Sequence, residues 1–148
     1  MAGKNKVERW ITVEVDDSGG DARDLSADVV PGSMSGLGGK SFEEVEMTGV
    51  SEAMKNFLAG HWSHEFSAQF YLNDTATTGA LTVLQGKVGL VGTLNIEFGS
   101  GAAPTTDDPQ WDGEYLLVEC PIVLAGNKPV LAARFVVSGA VAPAWGTV

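Results

Sequence analysis

Strict alternation of apolar and polar residues from Glu65 to Leu72 constrains the fold of this chain more than any other feature. Successive side chains of a β-strand point to opposite faces, so alternation sorts them into two sets. The apolar set is Phe66, Ala68, Phe70 and Leu72. The other set is Glu65, Ser67, Gln69 and Tyr71. The pattern predicts a strand, within His61–Leu72, that has one buried face and one wet face.

Similar alternation recurs in Arg9–Val15 and Gly92–Phe98. Nineteen glycines and six prolines lie between the apolar runs of this 148-residue chain, which is typical of a fold with many turns. Near the end, Gly126-Asn127-Lys128 predicts a hairpin turn, because glycine and asparagine tolerate positive φ. The sequence therefore predicts a mainly β chain, and its length fits one domain with a sizeable core.

Two stretches predict short helices. Val50–Gly60 places an apolar stripe at helical spacing after Ser51, a plausible N-cap. That stripe is Ala53, Met54, Phe57 and Leu58. The second helix begins after Thr77 or Thr78 and ends at Gly86 or Gly89. Its inward residues are Ala80, Leu81 and Leu84.

Glycine, proline and polar residues are frequent in three further segments, which predicts that these segments form no core of their own. Residues 31–40 carry four glycines and predict a flexible loop. Residues 99–113 predict a surface loop, and residues 140–148 have no obvious role within the chain. Asp16–Asp21 predicts an acidic turn instead of a calcium loop, because it lacks the terminal glutamate of an EF-hand.

The formal net charge of −10 argues against a protein that binds nucleic acid tightly, since such binding depends on neutralising phosphates. Two interpretations of the charge stay open. It keeps the protein soluble, or it lines a conduit along which DNA slides without sticking.

No residue pattern predicts catalysis, a metal site or a cofactor. His61 and His64 are three residues apart, which sends their side chains to opposite faces of a strand. Cys120 is the single cysteine and lies in an apolar run, where a free thiol behaves as a small buried hydrophobe. Arg134 is the only charge on the apolar strand near Val130–Val137 and needs a carboxylate partner if it is covered. The polar start of the chain predicts no signal peptide.

Several local signatures follow one another in order between residues 24 and 98. They are Asp24-Leu25-Ser26, a strand ending near Met47-Thr48-Gly49, a helix closed by Leu58-Ala59-Gly60, a strand ending in Tyr71-Leu72-Asn73-Asp74, and a turn into Ala80-Leu81-Thr82-Val83-Leu84. This succession resembles the tail tube (major tail) proteins of long-tailed, non-contractile bacteriophages.

The resemblance implies a β-sandwich or flattened barrel with one or two short α-helices and long loops. It also implies a structural virion protein that forms hexameric rings, stacked into a tail tube through which DNA is ejected. Its partners would be further copies of itself and other tail proteins such as the tape measure, terminator and distal tail proteins. DNA would be present only in transit, no membrane would be involved, and the chain would move from the host bacterial cytoplasm to the virion tail.

Two sets of site residues follow from strand alternation combined with family position. The expected lumen-lining residues are Glu44, Glu46, Glu65, Ser67, Gln69, Asn95 and Glu97. The expected inter-subunit contacts are Pro31, Met34, Leu37, Lys40 and Trp145, with residues 31–40 as a mobile loop that reaches a neighbour and residues 140–148 as a docking segment.

Two alternatives stay open at the level of sequence. The first is a related structural role, as a tail terminator, a secretion-system tube subunit or a capsid decoration protein. The second is a monomeric ligand-binding β-domain that uses aromatic stacking platforms. Its candidate pairs are Trp62/Tyr71 and Trp111/Tyr115.

Overall fold

Ten strands and one α-helix make up the computed structural model, which describes residues 8–148. The polar start, residues 1–6, lies outside the described residues. The strands are β1 (Ile11–Asp16), β2 (Ala22–Asp24), β3 (Ser41–Glu46), β4 (Phe57–Ser63), β5 (Glu65–Tyr71), β6 (Val91–Phe98), β7 (Pro109–Glu119), β8 (Ile122–Ala125), β9 (Lys128–Val137) and β10 (Ala144–Thr147). The helix is α1 (Ala80–Gln85), and 3-10 turns cover Glu8–Trp10 and Ser26–Asp28.

Eight strands form one antiparallel sheet in the order β2-β1-β6-β7-β9-β5, with β10 on β7 and β8 on β9. Residues 29–35 run along the outer edge of β5, where Val30 N donates to the carbonyl of Gln69 at 2.9 Å. Ser35 and Ser67 exchange two backbone hydrogen bonds of 2.8 and 3.0 Å at the same edge. The stretch that leaves β2 therefore covers β5, and the sheet curls into the flattened barrel that was predicted.

The barrel core consists of the apolar faces that alternation identified. Phe66, Ala68 and Phe70 of β5 are buried, whereas Leu72 lies beyond the strand and is 36% exposed. The other large buried side chains come from β1, β6, β7, β9, α1 and the turn after β2. They include Val13, Val15, Leu25, Leu84, Leu94, Ile96, Trp111, Tyr115, Leu117, Leu131 and Phe135.

Helix α1 confirms the second predicted helix, with a different start. Its N-cap is Gly79, without a side-chain cap, and Thr77 has a positive φ of 71°. The backbone N–H of Ala80 instead donates to the Asp28 carboxylate at 3.2 Å. Ala80 and Leu84 are buried as predicted, with Val83 beside them.

The helix predicted over Val50–Gly60 was wrong. The chain turns at residues 50–54 and returns as β4, which pairs with β3 and shares no strand of the barrel sheet. The stretch has no core to bury its stripe, and Phe57 suits a strand beside β3 better than a helix. The single strand expected over His61–Leu72 likewise divides at His64 into β4 and β5, which belong to different sheets.

The boundaries of two predicted segments also change. Residues 109–113, expected to belong to a loop, begin β7, which pairs with β6 and β10. The segment 140–148, expected to lack a role within the chain, contains β10, whose Trp145 lies opposite Trp111. The turn at Gly126-Asn127 is confirmed, with φ values of 56° and 69°.

Candidate assembly surfaces

The hairpin of residues 41–63, here named the arm, comprises β3, β4 and their connection. Every residue of β3 is exposed, and in β4 only Gly60 and Trp62 are partly covered. The large exposed apolar side chains of the arm are Phe42, Val45, Met47, Val50, Met54, Phe57 and Leu58. Among the described residues, β3 and β4 pair only with each other. The arm is thus an apolar strand pair without a core.

Local hydrogen bonds maintain the shape of the arm. Met47 N donates to the Asn56 carbonyl at 2.8 Å, and Asn56 N donates to Thr48 Oγ1 at 2.9 Å. The Asn56 side-chain amide also contacts the Glu52 carboxylate. Lys40 lies 4.7 Å from the ring centroid of Trp62 at the base. Backbone pairing is therefore satisfied inside the arm, while its side chains remain available for contact.

An aromatic cluster anchors the point where the arm meets the barrel. His64 Nδ1 lies 2.5 Å from Tyr115 Oη, and the same hydroxyl accepts a 2.8 Å hydrogen bond from Trp111 Nε1. Trp145 packs on Trp111 with ring centroids 5.2 Å apart and on Phe98 at 5.5 Å. Burial lowers the pKa of His64 and raises the pKa of Tyr115. The cluster ties the root of the arm to the buried centre of β7.

The outer side of β1, β6 and β7, with the end of β2, forms what we name the acidic face. Its residues are Glu14, Asp24, Asn95, Glu97 and Asp112. Asn95 lies opposite both Glu14 and Asp112 in the register, and Glu14 lies opposite Asp24. β1, β6 and β7 contain no lysine or arginine.

Crowding on the acidic face changes its titration. Burial, followed by repulsion from Glu97 and Asp24, raises the pKa of Glu14. Burial and then the charge of Asp16 raise the pKa of Asp112. Both shifts come first from burial and then from carboxylates on neighbouring strands. The cation nearby is Lys87, which interacts electrostatically with Asp16.

The outer side of β5 is different, because it carries both signs of charge. Arg134 of β9 lies 3.5 Å from the Glu65 carboxylate and 3.2 Å from that of Glu119. Ser67 and Gln69 lie opposite Arg134 and Ala132. The carboxylate partner expected for Arg134 is therefore present.

The seven residues predicted to line a lumen lie on three separate surfaces. Glu44 and Glu46 are on the arm, and Glu65, Ser67 and Gln69 are on β5. Asn95 and Glu97 are on the acidic face, with β7 and β9 between β6 and β5. Alternation identified outward residues, but the topology does not bring the seven together, and their role stays a prediction.

The five predicted contact residues also differ in their surroundings. Met34 and Leu37 are partly buried against the barrel core of their own chain, so the loop does pack. Pro31 and Lys40 are exposed, and Trp145 remains 55% exposed despite its packing on Trp111. Gly38 has φ +79° and approaches the Trp145 ring so closely that an added Cβ would lie 2.4 Å from it. Their role between subunits stays a prediction.

Sequence reasoning missed a second exposed apolar surface, strand β8. Ile122, Val123 and Leu124 are all exposed, Leu124 by 77%. β8 pairs with β9 on one side, and no strand among the described residues pairs with its other edge. The sequence feature that could have indicated this surface is the uncharged run Ile122–Ala125 directly after Pro121. Such a run suits an uncovered strand as well as a buried one.

The structure offers little support for a ligand or metal site. Trp111 and Tyr115 are buried, and Trp62 and Tyr71 lie in different sheets, so neither predicted stacking pair forms an exposed platform. No cluster of three metal-binding side chains occurs within residues 8–148. The Asp17 carboxylate is used within its turn, where it accepts hydrogen bonds from the N–H groups of Gly19 and Asp21 at 2.9 and 3.0 Å.

Cys120 confirms the prediction of a buried thiol. It is 7% exposed, and burial raises its pKa to about 11. Almost none of this thiol is ionised at neutral pH, so Cys120 is a poor nucleophile there.

Comparison with solved structures reveals a shared fold. A chain from the sheath-tube complex of an extracellular contractile injection system, PVC, in its extended state matches with a TM-score of 0.59 and 14% identity, over 93% of this chain and 88% of that chain. A chain from the six-fold symmetrised baseplate of the anti-feeding prophage, AFP, matches with a TM-score of 0.54 and 14% identity, over 99% and 94%. No family model and no curated protein matches the sequence.

These likenesses support a phage-tail-like tube fold. Both solved structures come from contractile injection systems, so they do not single out the tail tube proteins of non-contractile phages. Within the described residues, no helix is long and apolar enough to span a membrane.

Proposed function

We propose that this chain is a structural, non-enzymatic subunit of a phage-tail-like tube, built from stacked six-fold rings. The arm is the observation that carries the proposal. A lone two-stranded hairpin is marginal in water, and exposing seven large apolar side chains on it is costly. Contact with neighbouring subunits removes that surface from water, and repeated head-to-tail contact produces rings and filaments.

The acidic face is the stronger candidate for the lining of the tube. It lies on adjacent strands of the barrel and carries no cation on β1, β6 or β7, unlike the β5 surface with Arg134. Six copies of a chain at −10 carry −60 per ring. A polyanion moving through such a bore is repelled from the wall and slides.

Two kinds of tube fit this proposal. The order of local signatures, without the helix at Leu58-Ala59-Gly60 that the structure replaces with β4, favours the non-contractile phage tail, with DNA in transit and the tape measure, terminator and distal tail proteins as further partners. The contractile origin of both structural neighbours favours the tube of a contractile injection system. A sheath that decorates the assembled tube distinguishes the second from the first.

Negative-stain electron microscopy and sedimentation of the concentrated protein test the proposal. We expect rings or tubes with a central hole, and we expect Leu58→Glu on the arm to leave a folded monomer without rings. Val88→Glu is the matched control, since Val88 is exposed but lies outside the arm, in the turn after α1. A wild-type chain that remains monomeric at every concentration contradicts the proposal.

Charge reversal tests the lining separately. The double variant Glu97→Lys/Asp112→Lys should still form rings, but its tubes should retain DNA in a filter-binding assay where wild-type tubes release it. Asp74→Lys/Asp107→Lys, at two exposed loop positions outside the acidic face, makes the same change of net charge and is the control. Equal DNA retention by these two variants would show that the acidic face does not line the bore.

A further inference from the structure

The arm and β8 are the two strongly apolar strand surfaces that the barrel leaves uncovered. Each has an unpaired backbone edge among the described strands. Exposed apolar edges invite pairing with another chain, and natural proteins normally protect them with charge or a covering element. Ile122–Ala125 contains no charged residue, so β8 lacks that protection.

The two surfaces carry opposite charge. The arm contains four glutamates, namely Glu43, Glu44, Glu46 and Glu52, against the single cation Lys55. Residues 120–133, which include β8 and the start of β9, contain Lys128 and no acidic residue. In a chain with a net charge of −10, this acid-free hairpin is the natural electrostatic complement of the arm.

The two surfaces also lie at opposite ends of the barrel. The arm joins β5 at Glu65, which pairs with Val136 of β9. β8 pairs with the other end of β9, where Ile122 lies opposite Leu131 and Ala125 opposite Lys128. Five residues of extended strand between Leu131 and Val136 correspond to about 16 Å. An arm at one end and an acceptor at the other give each subunit a head and a tail.

We propose that β8 of one subunit receives the arm of a second copy. The apolar side chains of the arm pack on Ile122, Val123 and Leu124, and its glutamates lie near Lys128. This contact deepens the proposed tube function and rests on it. Because the two partner surfaces are different, the contact is heterologous and continues from subunit to subunit, as a ring or a stack requires.

Mixing two variants that each carry one added cysteine tests the contact directly. Leu58→Cys labels the arm and Leu124→Cys labels β8, and both positions are exposed. The native Cys120 is buried and its raised pKa, about 11, keeps it out of reaction with a short bismaleimide crosslinker. We expect a covalent dimer in the mixture and its loss in either variant alone. Dimers in Leu58→Cys alone would show an arm-to-arm contact and overturn the proposal.

A second pair of variants keeps the test independent of the crosslinker. Leu124→Glu should abolish rings or their stacking into tubes while circular dichroism remains that of the wild type, and Val88→Glu should assemble normally. The same rings and the same stacked tubes from wild type and from Leu124→Glu would remove β8 as the acceptor and leave the tube function intact. Failure of the wild-type chain to assemble, together with no covalent dimer in the mixture of the two cysteine variants, would overturn both the contact and the tube function.

Discussion

The barrel and the arm use the same backbone pairing but differ in what their side chains contact. In β5, every second residue faces the core, and Phe66 and Phe70 have no exposed surface. In β3, every residue is exposed. Two strands pair the backbone groups that face each other, whereas burial of side chains requires a further layer. The arm therefore has secondary structure without tertiary structure, and a partner has to supply its missing layer.

Hydrogen exchange should show the largest difference between the two regions. In the monomer, amides of the arm should exchange with little protection, while core amides of β5 and β9 exchange through global unfolding, typically about 5–15 kcal/mol. Mass spectrometry after deuterium labelling measures both in one sample. Assembly should protect the arm selectively. Equal protection of arm and barrel in the monomer would remove the distinction between them.

Substitution of Phe66 in β5 and of Phe57 in β4 tests the same contrast between the barrel and the arm. Phe66→Ala should reduce the free energy of unfolding by about 3–5 kcal/mol, because it leaves a cavity against Phe135. Phe57→Ala on the arm, removing the same side-chain atoms, should change it by less than about 0.5 kcal/mol. Urea denaturation of the monomers measures both values. A large loss for Phe57→Ala would mean that the arm packs on its own barrel.

The aromatic cluster at the root of the arm gives a smaller effect. Tyr115→Phe removes the hydroxyl shared by His64 and Trp111 and leaves the buried Trp111 Nε1 and the partly buried His64 Nδ1 without it, a cost of about 1–3 kcal/mol. Tyr71→Phe is the control, since Tyr71 is 37% exposed. Thermal denaturation compares the two variants. Similar melting temperatures for both would show that the hydroxyl network is not important for stability.

The acidic face should show the smallest effect, with a defined pH dependence. Because the pKa of Glu14 is raised in the folded state, its protonated form stabilises the fold at low pH, and that contribution disappears as pH rises through the folded pKa. Glu14→Gln should therefore stabilise the protein at pH 7 by about 0.5 kcal/mol. The gain should vanish at a pH where Glu14 is protonated in both states.

Urea denaturation at several pH values checks this trend, with Asp107→Asn as the control on an exposed loop. A stability gain for Glu14→Gln that does not change with pH would show that crowding of carboxylates is not its cause.

Much of the barrel follows from local sequence. Alternation in β5 and β6 identifies Phe66, Phe70, Leu94 and Ile96 as core residues, and all four are buried. The Gly126-Asn127 turn and the short helix ending near Gly86 also follow from local residue preferences. In these places the local pattern and the tertiary environment agree, so the pattern alone is a reliable guide.

The arm is where local reasoning fails. Met54, Phe57 and Leu58 fit a helical stripe, but Phe57 and Leu58 also fit a strand beside Glu46 and Val45. Periodicity over so short a stretch does not separate the two, and pairing with β3 decides in favour of the strand. The loop at residues 31–40 shows the converse, because Met34 and Leu37 pack against a barrel that is distant in sequence.

By itself, the sequence determined which residues share the faces of the barrel strands, where several turns occur, and the excess of negative charge, because these depend on neighbours within a few residues. Only the tertiary structure decided what covers each face. It buried Trp111 and Tyr115, left the arm and β8 uncovered, and brought Glu14, Asn95 and Asp112 together from three strands. Alternation specifies two sides of a strand, but the pairing of distant strands determines whether a side meets core, water or another subunit.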